Sequence, residues 1–147
     1  MSDTRTALYL THASTFDALN EIRDLVAGNA KAKGFRDQMA EGLTPEQWAG
    51  QPGRLIRAAV FTSNQHGESS EFWEAFRAGN LDELCDKAEK MKAIGLPPLT
   101  NAEEEIADEI IRALDKAECF GVNVAKAVSV KMSYNASRPM LHGGKRA

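Results

Sequence analysis

Cysteine is scarce in this chain. Two thiols, Cys85 and Cys119, among 147 residues cannot form a disulfide framework, so the fold must rest on a packed core in a reducing compartment. No stretch approaches the roughly 20 apolar residues needed to span a bilayer. The opening MSDTRTALYL carries a lone arginine and no long apolar stretch, which argues against a signal peptide, so a cytoplasmic protein without membrane attachment is expected. Basic surplus is also missing: 18 Lys and Arg stand against 21 Asp and Glu, a net charge of −3, which disfavours duplex nucleic acid as a partner. Small phosphorylated molecules remain open, because a bound cation reverses the sign locally. Repeats, low-complexity tracts and period-2 runs are absent, so no sheet is expected. What remains, 43% apolar and 27% charged residues, suits one soluble globular domain over residues 1–147.

Helix signals dominate. Phe16, Leu19, Ile22, Leu25 and Val26 recur at spacings of three and four, predicting an amphipathic helix from about Thr15 to Ala32 with a stop at Gly34. Thr44, Pro45 and Gln47 read as a capped helix start, broken again by Pro52 and Gly53. A long helix is predicted from Arg54 to Ala78, with Leu55, Ile56, Ala59, Val60 and Ser63 on its early apolar face and Gly79 ending it. Gly67 inside it costs up to about 1 kcal/mol relative to Ala, so it implies close packing or room for a ligand. Asn80 to Met91 reads as a short helix with Asn80 and Glu83 as cap partners. After the Gly95–Pro97–Pro98 break, Thr100 and Glu103 cap a helix to about Phe120 that should bury Ile106, Ile110, Ala113, Leu114 and Ala117. Gly121 terminates it. A last helix covers Asn123 to Ala136, followed by a polar, Gly-rich tail from about 139 that should be mobile. The fold class is therefore all-α, a bundle of four to five helices.

Two acidic stretches carry the chemistry. In Gly67–Glu68–Ser69–Ser70–Glu71–Phe72–Trp73–Glu74, carboxylates recur every three residues, and Glu105 and Asp108 repeat the spacing downstream. Helical residues three apart share a face with Cβ atoms about 5–6 Å apart. Exposed, such pairs are solvated charge. Turned into a bundle they need a counter-ion, and a hard divalent cation such as Mg²⁺ takes oxygen ligands. Glu71 and Glu74 fall on the side of Ile56, Val60 and Ser63, with Glu68 at its edge. Di-iron and zinc sites fit less well. His66 stands two residues from Glu68, not at the Glu-x-x-His spacing, and no Cys/His cluster has ligand spacing. Lys131, Asn135 and Arg138 fall at i, i+4 and i+7, a stripe suited to clamp phosphate or simply to complement a helix C-terminus.

With these motifs in place the sequence resembles the MazG-like family of all-α nucleoside triphosphate pyrophosphohydrolases. The likeness rests on G-E-S-S-E-F-W-E-A-F-R from Gly67, E-E-E-I-A-D-E-I-I-R-A-L-D from Glu103, K-M-S-Y-N-A-S-R-P from Lys131 and H-G-G-K from His142. It spans just over half the chain, and its closing run is similar to bacterial and phage members. The first 50 residues carry no part of it. The resemblance implies hydrolysis of a (d)NTP to the monophosphate and pyrophosphate, with Mg²⁺ as cofactor (Mn²⁺ as a substitute) and a homodimer or homotetramer as the working form. It also implies Glu68, Glu71, Glu105 and Asp108 as metal ligands, Glu71 or Glu74 as the carboxylate that orients water, and Lys131, Asn135 and Arg138 as substrate contacts. The chain departs from the family in the interval Leu81 to Thr100, an extra segment that would serve as lid, oligomer contact or base-selectivity element. Trp48, Trp73, Phe72, Phe35 and Tyr134 are candidate stacking rings, each more commonly a core residue. The competing classes are a helical interaction module without catalysis and a regulatory module that binds nucleotide without turnover.

Overall fold

The described part of the chain, residues 13–138 of a computed structural model, contains seven helices and no strand. They are α1 (Ala13–Ala32), α2 (Phe35–Ala40), α3 (Pro45–Ala49), α4 (Gln51–Ala78), α5 (Ala88–Ala93), α6 (Asn101–Cys119) and α7 (Val124–Ser137). The expected all-α architecture holds. The count rises above four to five because three short helices, α2, α3 and α5, occupy the connections between four longer ones. The tail from Pro139, including His142 to Lys145, lies outside the described residues, as does the start of the chain. No described helix is long and apolar enough to cross a membrane.

Local signals place most boundaries. Thr44 and Gln47 form a reciprocal capping box at α3, and Thr100 and Glu103 form another at α6. Gly34, Gly79 and Gly121 adopt positive φ (76°, 74° and 66°) where α1, α4 and α6 end. The break expected at Pro52–Gly53 falls instead at Gly50. Pro52 sits in the first turn of α4, where its missing N–H removes no helical bond. Gly53 is there for another reason: a Cβ would stand 2.1 Å from the Trp48 carbonyl oxygen, so α3 packs directly on bare backbone.

The expected helix from Asn80 to Met91 forms only over Ala88–Ala93. Asn80 does not cap it. The chain before it follows the start of α6 instead, with Leu84 bridged to Thr100, Cys85 N–H donating to Leu99 O (3.0 Å) and Asn101 N–H donating to Glu83 O (2.9 Å). The segment between α4 and α6 is thus laced to the helix carrying Glu105, with Cys85 and Ala88 buried beneath it.

α6 is the central rod. It packs against α4 on one side and α1 on the other, while α7 docks on α1. The α4–α6 pair is antiparallel: Glu71 meets Glu105, Glu68 meets Arg112, Lys116 meets Gln65, and Phe61 meets Phe120 edge-on with ring centroids 6.5 Å apart. Asn20 of α1 fastens α7, its Oδ1 accepting from Val124 N–H at 3.0 Å. This satisfies a donor that the helix start leaves orphaned.

Three expected faces are corrected. On α4 the buried line runs through Phe61 and Glu68. Leu55, Ala59 and Ser63 are exposed, because apolar residues cover nearly the whole circumference between 55 and 61 and periodicity cannot choose among them. On α6 the buried line is Glu104, Glu105 and Asp115 with Leu114, whereas Ile106 and Ile110 are 47% and 53% exposed. Ion pairs make that polar interior tolerable: Arg36 bonds Asp115 at 2.6 Å and Glu118 at 2.7 Å, and Lys87 pairs with Glu104. On α1 the contact to its neighbours is made through the small side chains of Ala27 and Ala30, leaving Ile22 and Leu25 exposed.

Candidate metal and phosphate site

Glu68, Glu71 and Glu105 come together between α4 and α6. One carboxylate oxygen from each lies within 4.8 Å of the others. The order of burial reverses the sequence expectation. Glu68, placed at the edge of the core face, is buried, and Glu71 and Glu74, placed near the core, are exposed. The reason is the register of α4, whose inward line through Phe61 reaches Glu68 seven residues later. Glu74 stands outside the trio, as does Asp108, which is half-buried one turn from Glu105.

Electrostatically the trio is under-compensated. Arg112 Nε donates to Glu68 Oε1 at 2.7 Å, and Lys87 engages Glu104. Glu105 has no such partner: it is buried, and its Oε2 makes no hydrogen bond. Burial pushes the Glu105 carboxyl up to about 7, and the charges of Glu71 and Glu104 add to the push while Lys87 opposes it. Burial also raises Asp108, followed by the charge of Glu68. Glu109, just beyond, accepts from Ser69 Oγ at 2.6 Å.

Sequence reasoning missed both cations at this site. Arg112 was legible in principle, since it lies four residues from Asp108 and seven from Glu105 on one helical face. Lys87 carries no such signal, because it arrives from the long connection between α4 and α6. Of the predicted stripe, Lys131 and Asn135 lie exposed on α7, whereas Arg138 falls just past its end in extended backbone; Lys131 Nζ and Arg138 Cζ stand 5.1 Å and 5.9 Å from the Tyr134 ring centroid. α7 packs principally on α1, so the structure does not bring this stripe onto the α4–α6 carboxylates. Gly67, one residue before Glu68, has open space beside it: a Cβ there would meet nothing within 4 Å, so close helix packing does not explain it. Among the candidate rings, Trp48 lies under Arg57, Trp73 stacks on Phe76 at 5.2 Å, and Phe35 faces a cavity described below.

No family model matches this chain, and no curated protein or solved structure matches it either.

Proposed function

We propose that the chain is a Mg²⁺-dependent nucleoside triphosphate pyrophosphohydrolase with an all-α, MazG-like bundle, acting in the cytoplasm as a homo-oligomer on (d)NTPs. The observation that carries this reading is Glu105: a buried carboxylate with an unpartnered oxygen, facing two more carboxylates from the neighbouring helix. Three convergent oxygen donors fit a hard divalent cation, Mg²⁺ or Mn²⁺, and suit a soft metal poorly. Glu68, Glu71 and Glu105 would hold it, with Asp108 adjacent. A bound cation supplies stabilisation of the negative charge that develops on the phosphate oxygens.

The chain's own groups do the rest. Glu71, exposed at the rim of the trio, orients a water toward the α-phosphorus and takes its proton, with Glu74 one turn further as the alternative base. The water oxygen bonds to the α-phosphorus, the bond from that phosphorus to the bridging oxygen breaks, and pyrophosphate leaves. Arg112 holds Glu68 through its 2.7 Å bond and Lys87 holds Glu104 beside the trio, while the phosphate contacts of Lys131, Asn135 and Arg138 rest on the resemblance alone, since α7 docks on α1. Pyrophosphate release across a panel of (d)NTPs, with and without Mg²⁺, tests the reading. Wild-type protein should release it only with the cation, and Glu105→Gln should abolish release while leaving the helical circular dichroism unchanged. Retained turnover in that variant refutes the site.

A second reading, a helical interaction module, draws on one observation. The buried apolar core of the described chain has seven residues, four of them alanine, while sixteen large apolar residues stay exposed. Calorimetry with Mg²⁺ and a non-hydrolysable dNTP separates the two, since a bare interaction module binds neither.

A further inference from the structure

A cavity of about 300 Å³ opens between α1, α2, α4 and α6. Its size sits at the small end of the range for ligand sites. It adjoins the carboxylate trio through one residue: Arg112 forms part of its wall and donates to Glu68. Asn64, also in the wall, lies four residues before Glu68 on the same face of α4, about 6 Å along the axis. Arg112 lies seven residues after Glu105 on α6, about 10 Å along it.

The lining is unlike the trio. Asn29 from α1, Gln38 from α2 and Asn64 from α4 bring three side-chain amides to it, none hydrogen-bonded to another described residue; Asn29 and Gln38 are exposed and Asn64 is half-buried. Each can offer both donors and an acceptor. Phe35 and Phe61 contribute aromatic surface, and Phe35 is 51% exposed. The charged residues in the wall are already engaged, Arg112 with Glu68 and Asp115 with Arg36 at 2.6 Å. Free amides, an accessible ring and neutralised charge suit a flat, uncharged molecule with heteroatoms on its edge. They do not suit a polyphosphate.

We propose that this cavity receives the nucleoside half of the triphosphate whose phosphates meet the carboxylate trio. Phe35 lies against the base, and Asn29, Gln38 and Asn64 read its edge. The inference rests on the pyrophosphohydrolase reading for the phosphate end and on the cavity alone for the base end. It assigns base discrimination to α1, α2 and the middle of α4, and not to the Leu81–Thr100 segment, none of whose residues lines the cavity.

Two measurements on the full chain test it. The first titrates the four common 2′-deoxynucleosides without divalent cation and follows side-chain and backbone amide resonances. Saturable shifts should centre on Asn29, Gln38 and Asn64. No saturable shift up to about 10 mM, or shifts confined elsewhere, overturns the proposal. The second compares steady-state kinetics of wild type, Asn64→Leu and Gln38→Leu on the four dNTPs. Loss of a base-reading hydrogen bond should raise KM for the preferred nucleotide about tenfold, leave kcat within about twofold and compress the ratio of kcat/KM between best and worst base. Unchanged KM and unchanged base preference in both variants overturn it while leaving the pyrophosphohydrolase reading intact. If no dNTP is hydrolysed by the wild type, that reading falls, and the nucleoside titration alone decides the cavity: saturable shifts at the three amides sustain it, and their absence overturns it.

Discussion

Replacing Glu105 by Gln should stabilise this protein at alkaline pH when no divalent cation is present. The substitution keeps shape and removes one charge from a buried group whose Oε2 has no partner. Two unit charges at the 4.8 Å limit of the trio repel by about 1 kcal/mol in a water-like medium and about 3 kcal/mol at a dielectric of about 20. Glu71 is exposed, so solvent screening holds the value toward the lower figure, and the new amide still lacks a hydrogen-bond partner. A net gain of roughly 1–2 kcal/mol is expected, about 3–8 °C in Tm for a chain of this size.

The pH dependence fixes the cause. The carboxyl of Glu105 is raised to about 7 from an ordinary 4.5, so between those values the folded chain holds its proton longer than the unfolded chain does. Its contribution is therefore most favourable below about 4.5 and is lost as pH rises toward 7. The difference between Glu105→Gln and wild type should be near zero at about pH 4 and full at about pH 8, read by thermal denaturation at both. Saturating Mg²⁺ at the higher pH should raise the wild-type Tm, by about 2.7 kcal/mol of stability at a hundredfold excess over Kd, and leave the variant largely unmoved. Equal Tm shifts at both pH values would show that Glu105 is not an uncompensated charge. A wild-type Tm indifferent to Mg²⁺ and Mn²⁺ would refute the cation.

Other expectations follow from single contacts. Gly53→Ala should lower Tm sharply, because its Cβ would lie 2.1 Å from the Trp48 carbonyl and backbone must move; a neutral result in a melt refutes that packing. Gly67→Ala meets no atom within 4 Å and should stabilise α4 by up to about 1 kcal/mol. If pyrophosphate release survives that change, Gly67 gives no necessary room to a ligand. The exposed pair Ile106 and Ile110 should lie in the contact between copies. With four half-exposed side chains worth about 1 kcal/mol each in a symmetric dimer, Ile106→Asp with Ile110→Asp should weaken self-association roughly a thousandfold in sedimentation. A wild-type chain that stays monomeric at high concentration refutes the assignment.

Features decided within four residues were legible without coordinates. The boxes at Thr44–Gln47 and Thr100–Glu103 form as read, and so do the stops at Gly34, Gly79 and Gly121, because caps and left-handed glycines satisfy backbone groups locally. The pairing of acidic spacing on α4 with acidic spacing on α6 was legible too, since it needs only that two helices face each other. Which side of each helix faces in was not. α6 has a clean apolar stripe, yet its acidic side is buried, because Arg36 and Lys87, both from other segments, come to meet it. No periodicity in α6 records Arg36 or Lys87.

The sequence by itself therefore determined the helical class, most helix ends and the carboxylates available for a cation. Tertiary structure alone decided that Glu68 and not Glu74 joins Glu71 and Glu105, that α7 docks on α1 with its cationic stripe exposed, and that a cavity of free amides adjoins Arg112. The physical reason is range. Capping and propensity act between near neighbours along the chain. The orientation of a helix about its own axis is settled by charge and packing partners supplied from residues tens of positions away.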